Sequence, residues 1–228
     1  MRPPARSLER ELLDGPDLDP AELERNLREM AMLNRLPGGV GASVAATVRA
    51  LPAAGNGLGR GVLDIGAGSG DFARALRRRS DVPIVLADHS SAVRVIAARA
   101  VARMEHVTIV DADARALPLD DAAVDVAHAS LLLHHLYPAD AVVALREMRR
   151  VARAAVVIND LRRGWLAFLM TAAPVLAFSR SPYTRHDGVL SARRAYTLPE
   201  LDALAADAGL RPVTRSPSWW PRVTTTYR

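Results

Sequence analysis

The chain has 228 residues, half of them hydrophobic, and its 30 basic residues against 25 acidic ones give a formal net charge of +5. It contains no cysteine, which excludes iron–sulfur chemistry, a cysteine nucleophile and an all-cysteine zinc site. The sequence shows no uninterrupted apolar run of about 18 residues and no signal-peptide pattern. We therefore expect one cytoplasmic domain with a sizeable core and no transmembrane segment.

The basic excess raises the question of a nucleic-acid partner. All the basic residues are arginines, however, and they are spread along the chain as a bias of the whole sequence. Aromatic residues make up only 4%, which leaves little surface for stacking on bases. The composition therefore argues against nucleic acid, although an RNA-modifying enzyme stays open as an alternative that salt-sensitive RNA binding would reveal.

The first 18 residues are polar and contain prolines, so we predict a flexible segment there. Asp19 and Pro20 are typical of a helix N-cap and first turn, and apolar residues at helical spacing follow them. A second helix is predicted over about 40–51. We interpret 19–52 as a helical cap over a ligand site, at the start of a single domain that continues to residue 228.

A glycine-rich turn follows the apolar run at 62–65, with Gly66, Gly68 and Gly70 at alternate positions before a helical pattern. Glycines permit positive φ and a close approach of the backbone to a ligand, and the helix start presents unpaired N–H groups. The turn therefore predicts a nucleotide-like cofactor. A dinucleotide fingerprint needs a further glycine where this chain has Asp71, whose negative charge suits a pyrophosphate badly, and this disfavours a nicotinamide oxidoreductase.

The elements after the glycine turn alternate between strand and helix patterns. Strands are predicted near 61–65, 83–88, 107–110, 124–129 and 154–160, with helices near 70–79, 90–104 and 138–152. This alternation is typical of a doubly wound parallel sheet. The second strand ends at Asp88, where an acid can accept hydrogen bonds from both hydroxyls of a ribose. Capping of the next helix is the alternative role for Asp88.

These motifs resemble those of the class I S-adenosylmethionine (SAM)-dependent methyltransferases, from about residue 20 to 228. The resemblance implies that Asp64 helps to fix the methionine part of SAM, that Asp88 binds the ribose, and that Asp113 with the Ala114 N–H binds the adenine. It also implies an α/β fold with a doubly wound, mostly parallel, seven-stranded, Rossmann-like sheet. S-adenosyl-L-homocysteine (SAH) would be the product. The expected cofactor contacts are Asp64, Gly66, Ala67, Gly68, Asp88, His89, Asp113, Ala114 and Ser130.

The pattern changes after the fifth strand, and we interpret 161–197 as a helical lid over the substrate. Residues 164–178 are apolar, whereas 179–194 are polar and turn-rich. The apolar part is long enough to touch a membrane surface but too short to span one. A helix is predicted from about residue 198, and a terminal strand pair ends the chain. Four residues of the apolar part have two alternative roles: they face a flat apolar substrate, or they form one packed helix face. These are Trp165, Phe168, Met170 and Phe178.

Histidines are the candidates for a catalytic base, because an imidazole can take a phenolic proton near neutral pH. His134 and His135 follow the fourth strand, and His186 stands beside Asp187, which can orient it. A structural role for the first two is the alternative. Carboxylates at the ends of strands four and five would favour a metal, but only Asp160 is present there, and so no metal is expected.

Within the class, the passage from Leu117 to His135 looks most like the branch that contains ubiquinone and menaquinone biosynthesis methyltransferases and enzymes that modify phenolic polyketides. The resemblance implies methyl transfer from SAM to a small aromatic acceptor, such as a phenol, a quinol or a polyketide product. O-methylation is favoured over C-methylation, and a monomer or homodimer is expected. The alternatives are an RNA methyltransferase and a non-catalytic SAM-binding regulatory protein, which would bind SAM without turnover.

Overall fold

A computed structural model describes residues 5–15, 19–52, 59–217 and 220–228. The strands are β1 Val62–Ile65, β2 Ile84–Asp88, β3 Val107–Asp111, β4 Val124–Ser130, β5 Ala152–Leu161, β6 Pro212–Arg215 and β7 Arg222–Tyr227. The helices are α1 Pro20–Leu33, α2 Val40–Ala50, α3 Asp71–Arg77, α4 Ser91–Val101, α5 Pro138–Val151, α6 Trp165–Phe178, α7 Pro182–Arg194 and α8 Leu198–Asp207.

The seven strands form one sheet in the order β3-β2-β1-β4-β5-β7-β6. Strands β1 to β5 are parallel, and β7 runs antiparallel to β5 and β6. All four residues of β1 are buried, as expected for a central parallel strand that is covered on both faces. One core contains residues of α5 and α8, and a second contains residues of α2, α3 and α4. The predicted fold class is confirmed.

The predicted start of α1 has its physical cause in the Asp19 side chain, which accepts a hydrogen bond from the Ala21 N–H at 2.8 Å. Helix α1 lies over the carboxyl edge of the sheet, where it lines the cavity described below. Helix α2 differs from the expectation, because it packs its buried Val44 and Ala46 into the sheet core beside α3. Only the first helix of the predicted cap therefore lies over the ligand site.

The region after β5 contains two helices, α6 and α7, whereas the sequence predicted polar turns over 179–194. Ser181 accepts a hydrogen bond from the Thr184 N–H at 3.5 Å, and Pro182 occupies the first turn of α7. These are ordinary start signals, but the weak amphipathic pattern that follows them concealed the helix. The terminal strand pair is present as β6 and β7.

Gly188 allows α6 and α7 to pack closely, because a Cβ atom at this position would lie 2.8 Å from Cγ1 of Val175. Gly188→Ala is therefore expected to lower the free energy of unfolding by about 1 kcal/mol, since the side chain of Val175 has to shift. Urea unfolding measures this change. The double variant Gly188→Ala/Val175→Ala removes the clash, and a loss that exceeds the sum of the two single losses would contradict the packing argument.

The described part of the N-terminal segment, 5–15, is packed against the lid, although the sequence predicted flexibility over 1–18. Arg6 donates to the carbonyl oxygens of His134 and Leu136 at 3.0 and 2.9 Å. The N–H groups of Leu12 and Leu13 donate to the two carboxylate oxygens of Asp187 at 2.9 and 3.0 Å. Backbone and arginine hydrogen bonds fix this segment, and the hydrophobic pattern does not reveal them.

Among the described residues, no helix is both long enough and apolar enough to cross a membrane.

Candidate active site

The glycine turn after β1 lies where the chain crosses from one half of the sheet to the other, which is where open α/β sheets bind ligands. Gly66 and Gly68 have φ values of 68° and 52°, which favour glycine. A Cβ on Gly66 would also lie 3.1 Å from Cδ1 of Leu132. The turn therefore presents bare backbone to the space beside it.

A cavity of about 200 Å³, here called the cofactor cavity, opens beside this turn. Its floor is formed by β1, the glycine turn and the end of β4, and its cover by α1, α7 and the N-terminal segment. Five of the cofactor contacts that the sequence predicts line this cavity, namely Asp64, Gly66, Ala67, Gly68 and Ser130. The sequence had not placed Asn34, Asp71 or Glu11 at this site, but each also lines the cavity.

Asp64 is held by a histidine that the sequence analysis missed. Nδ1 of His128, on the neighbouring β4, lies 2.7 Å from Oδ1 of Asp64, and the imidazole stacks on Phe72 with 3.7 Å between ring centroids. Burial raises the pKa of Asp64, and the hydrogen bond with His128 offsets this only in part. Oδ2 of Asp64 is buried and has no hydrogen-bond partner among the described residues, and so it can accept a hydrogen bond from a bound ligand.

A buried polar network joins the glycine turn to α1 and β7. Nδ2 of Asn34 donates to Asp71 at 2.6 Å, and Arg222 donates to Oδ1 of the same asparagine at 2.6 Å. Arg222 also donates to Ser130 at 2.9 Å and to Asn159 at 3.0 Å. Burial lowers the pKa of Arg222 to about 10. This network fixes α1 over the cavity, and Asp71 is one of its anchors.

Asp88 ends β2 beside the glycine turn, as predicted. Its carboxylate accepts from the Ser90 N–H at 3.0 Å and from the Gly68 N–H at 3.4 Å. The first contact is a turn hydrogen bond of the kind expected for the capping role, and the second joins the carboxylate to the cofactor turn. His89 is largely exposed, with Nδ1 3.8 Å from the Asp88 carboxylate. The ribose role of Asp88 stays a prediction that this position supports.

Asp113 and Ala114 follow β3 but are not among the residues that line the cofactor cavity. The half-exposed carboxylate of Asp113 accepts hydrogen bonds from Arg115 at 2.6 to 3.1 Å, and this contact lowers the pKa of Asp113. The adenine contact of Asp113 stays a prediction, and it requires this carboxylate to accept from Arg115 and the adenine amine together. A carboxylate has lone pairs for both.

His134 and His135 lie in one cluster with a third side chain, Glu11, in which Glu11 and His134 are buried and His135 is partly exposed. Nδ1 of His134 is 2.6 Å from Oδ1 of Asp160 at the end of β5. Burial by itself raises the pKa of Asp160, but the charge and hydrogen bond of His134 outweigh it and hold that pKa below its usual range. A carboxylate only accepts hydrogen bonds, and so Nδ1 donates to Asp160, which leaves the lone pair of the neutral imidazole on Nε2.

Glu11 reaches the cluster from the N-terminal segment, which the sequence analysis did not connect with the site. Its Oε1 lies 3.8 Å from Nε2 of His134, and its Oε2 lies 3.7 Å from Nε2 of His135. The hydroxyl of Ser191 donates to Oε1 at 2.8 Å. No local signal could have revealed this contact, because the three elements are distant in the chain.

The third candidate base, His186, occupies a different position. Its Nδ1 lies 2.8 Å from Oδ1 of Asp187, as the sequence suggested, but its side chain is half exposed on α7. It is not among the residues that line the cofactor cavity or the neighbouring apolar cavity. The catalytic role of His186 stays an untested prediction, whereas the geometry brings His134 and His135 to the site.

A second cavity, of about 440 Å³ and here called the apolar cavity, adjoins the cofactor cavity. The two share six lining residues, Met30, Asn34, Leu131, His134, Gly188 and Ser191. Of the four lid residues expected near a substrate, Met170 lines the apolar cavity. Trp165 and Phe178 are 46% and 66% exposed, and neither they nor Phe168 are among the residues that line it. The volume falls within the range of small-molecule pockets.

Residues 62–155 match the family model of a methyltransferase domain. None of the curated proteins matches the sequence. Among solved structures, the chain is similar to a SAM-dependent methyltransferase from Aquifex aeolicus, with 18% identity and a TM-score of 0.62 over 92% of this chain and 98% of that one. The chain is also similar to human N-acetylserotonin methyltransferase in complex with SAM, with 16% identity and a TM-score of 0.66 over 91% of this chain and 56% of that one.

An O-methyltransferase from neocarzinostatin biosynthesis, solved with SAH and 1,4-dihydroxy-2-naphthoic acid, gives 20% identity and a TM-score of 0.53 over 72% of this chain and 48% of that one. The sheet order, the glycine turn and these similarities define the fold of the class I SAM-dependent methyltransferases. The family match over 62–155 shows a methyltransferase domain within this fold.

The residues at the cofactor cavity fit SAM, which carries an ammonium and a sulfonium and no phosphate. Asp64 and Asp71 line the cavity and Asp88 stands beside the turn, so the local charge favours a cation. The unpartnered Oδ2 of Asp64 can accept from an ammonium group. A Cβ on Gly68 would lie 3.9 Å from Cδ2 of Leu27, which also lines the cavity, so the glycine leaves the backbone bare there. These residues would hold the cofactor, which supplies an electrophilic methyl group when bound.

Proposed function

We propose that this enzyme transfers the methyl group of SAM to the hydroxyl oxygen of a small, apolar aromatic acceptor. The observation that carries the proposal is the contact between the two cavities. His134 lines both of them, so an acceptor in the apolar cavity would meet the cofactor beside a buried imidazole. The similar O-methyltransferase solved with a dihydroxynaphthoic acid supports an aromatic acceptor.

The role of the protein in such a transfer is to position the acceptor oxygen and to make it nucleophilic. The leaving group is a neutral thioether and needs no acid, so alignment supplies much of the acceleration. A phenol has a pKa of about 10 and arrives protonated at neutral pH. The lone pair on Nε2 of His134, oriented by Asp160, is available to take that proton.

The experiment that tests this function is transfer of a labelled methyl group from SAM to a panel of phenols, quinols, resorcinol lipids and total RNA. We expect product only from the small aromatic acceptors, with the methyl group on oxygen, as determined by mass and fragmentation. A methyl group on a ring carbon would contradict O-methylation. Transfer to RNA alone would overturn the acceptor class, and SAM binding with no transfer would favour a non-catalytic regulatory role.

A larger side chain in the apolar cavity is expected to reduce acceptor use selectively. Met170→Trp narrows this cavity, and so we expect kcat/KM for the acceptor to fall at least about tenfold while the Kd of SAM is unchanged. Steady-state kinetics and calorimetry measure the two quantities. Leu169→Trp is the matched control, because the neighbouring Leu169 is 61% exposed on the same helix. Equal losses in both variants would contradict the assignment of the cavity.

A further inference from the structure

We propose that Glu11, His134 and His135 bind a divalent transition-metal cation of the Zn²⁺ type at the edge of the cofactor cavity. Each of the three offers one ligand atom, and these atoms all lie within 4.8 Å of one another. Two imidazoles and one carboxylate form a donor set that suits Zn²⁺ and similar first-row cations. No metal was expected from the sequence, because Glu11 is far along the chain from the strand ends that carry carboxylates in metal-dependent relatives.

The separations of the ligand atoms are close to those of a bound site. Donors about 2.1 Å from a tetrahedral cation lie about 3.4 Å apart. The carboxylate oxygens of Glu11 are 3.8 and 3.7 Å from the Nε2 atoms of His134 and His135. The two imidazole rings are tilted by 34°, with 4.3 Å between their centroids. Binding of one cation requires side-chain rotations that bring the donors, which lie within 4.8 Å of one another, to the shorter separation of a tetrahedral site.

The surroundings of His134 have the second feature of metal sites, an outer carboxylate that orients the ligand. Asp160 accepts from Nδ1 of His134 at 2.6 Å, which fixes the ring and leaves Nε2 as the donor to a metal. Ser191 donates to the Glu11 carboxylate in the same way, at 2.8 Å. A ligand carboxylate and a ligand histidine are thus both held by hydrogen bonds.

Arg194 places a positive charge beside the cluster, with Nε 3.8 Å from Oε1 of Glu11. It also donates to the carbonyl oxygens of His134 and His135 at 3.2 and 2.7 Å, and so it fixes the backbone that carries both ligands. Its charge opposes a metal cation, and the two buried carboxylates of Glu11 and Asp160 offset it. The balance favours a cation that binds imidazole well over Mg²⁺ or Ca²⁺, which prefer oxygen ligands.

Three protein ligands beside an open cavity are typical of a catalytic metal site, which keeps one position for a water or a substrate. All three residues line the cofactor cavity, and His134 also lines the apolar cavity. A hydroxyl that binds a divalent cation loses its proton more readily, so the acceptor would bind as an oxyanion. With a cation bound, Nε2 of His134 is a ligand and does not take the proton, so the cation activates the hydroxyl in its place and the proton passes to water. This catalytic consequence rests on the proposed function, whereas the metal site itself does not.

The test is a titration of the chelator-treated, full-length protein with Co²⁺, whose visible d–d absorption reports coordination, followed by displacement with Zn²⁺. We expect one equivalent of Co²⁺ per chain. Glu11→Gln and His135→Ala should each weaken binding by more than about 100-fold, and Asp160→Asn by about 10–100-fold. His106→Asn is the matched control, because it removes an exposed imidazole at a positive-φ residue that asparagine tolerates. The affinity of His106→Asn for Co²⁺ should equal that of the wild type.

Thermal unfolding without metal establishes that each variant is folded. Zn²⁺ should raise the Tm of the wild type and leave the Tm of Glu11→Gln and of His135→Ala unchanged. Absence of the Co²⁺ spectrum, or equal affinity in the ligand variants and the wild type, would overturn the metal site. Methyl transfer by the metal-free enzyme is measured separately. An unchanged rate without metal would leave the proposed function standing and remove the metal from it.

Discussion

His134→Ala is expected to lower kcat by about 10²–10⁴-fold, with little change in the Kd of SAM. The imidazole is held by Asp160 at 2.6 Å and lines both cavities, so its loss removes either the proton acceptor or the metal ligand from the acceptor oxygen. Because both roles serve the acceptor and not the cofactor, the effect should fall on turnover. Single-turnover transfer and calorimetry with SAM measure the two quantities.

Two further histidine variants make this result specific. His106→Asn is the control, because His106 is exposed on the loop before β3, and its kcat should equal the wild-type value. His186→Ala tests the remaining candidate from the sequence. A loss comparable to that of His134→Ala would return His186 to the mechanism, and a normal kcat in His134→Ala would remove the buried cluster from it. Thermal unfolding of each variant separates loss of chemistry from loss of fold.

Asp88→Ala is expected to raise the Kd of SAM by about 30–150-fold, or about 2–3 kcal/mol. The physical reason is the loss of a carboxylate that is predicted to accept charge-assisted hydrogen bonds from both ribose hydroxyls. Its position supports this role, because its Oδ2 lies 3.4 Å from the Gly68 N–H in the cofactor turn. Calorimetric titration with SAM and with SAH measures the change, and both ligands should lose affinity equally, since both carry the ribose.

Asp111→Ala is the matched control for Asp88→Ala. Asp111 is paired with Asp88 in the parallel register of β2 and β3 and ends the neighbouring strand. Its carboxylate is 70% exposed, forms an ion pair with Arg94 at 2.8 Å and does not line the cofactor cavity. SAM affinity should therefore be nearly unchanged in this variant. If Asp88→Ala bound SAM as tightly as Asp111→Ala, the ribose assignment would be wrong, and the hydrogen bond to Ser90 would remain its role.

The sheet and the cofactor turn were predictable because their signals are local. A buried parallel strand is a short apolar run, and the glycines at 66 and 68 follow one such run directly. The positions of Asp88 and Ser130 were predictable for the same reason, since carboxyl ends of parallel strands meet at one edge of a sheet. Helix α7 was missed because its hydrophobic periodicity is weak, although its start signals are clear.

The long-range polar contacts around the cofactor cavity could not be predicted in this way. His128 pairs with Asp64 across adjacent strands, and Asn34 bridges Asp71 and Arg222 between α1 and β7. These are single polar contacts that leave no periodic pattern in the sequence. Any other polar residue on the same face of the helix or strand would look the same in the sequence. Burial in the folded chain selects which of them form, because an unpaired buried polar group is costly.

The sequence by itself determined the class of enzyme, because a strand, a glycine turn and spaced acids act through residues close together in the chain. Only the tertiary structure decided which histidines line the cofactor cavity and that Glu11 lies beside them. It also decided that Trp165 and Phe178 lie outside the apolar cavity, whereas Met170 lines it. The physical reason is that both cavities are enclosed by elements from the two ends of the chain, and long-range packing determines which side chains meet there.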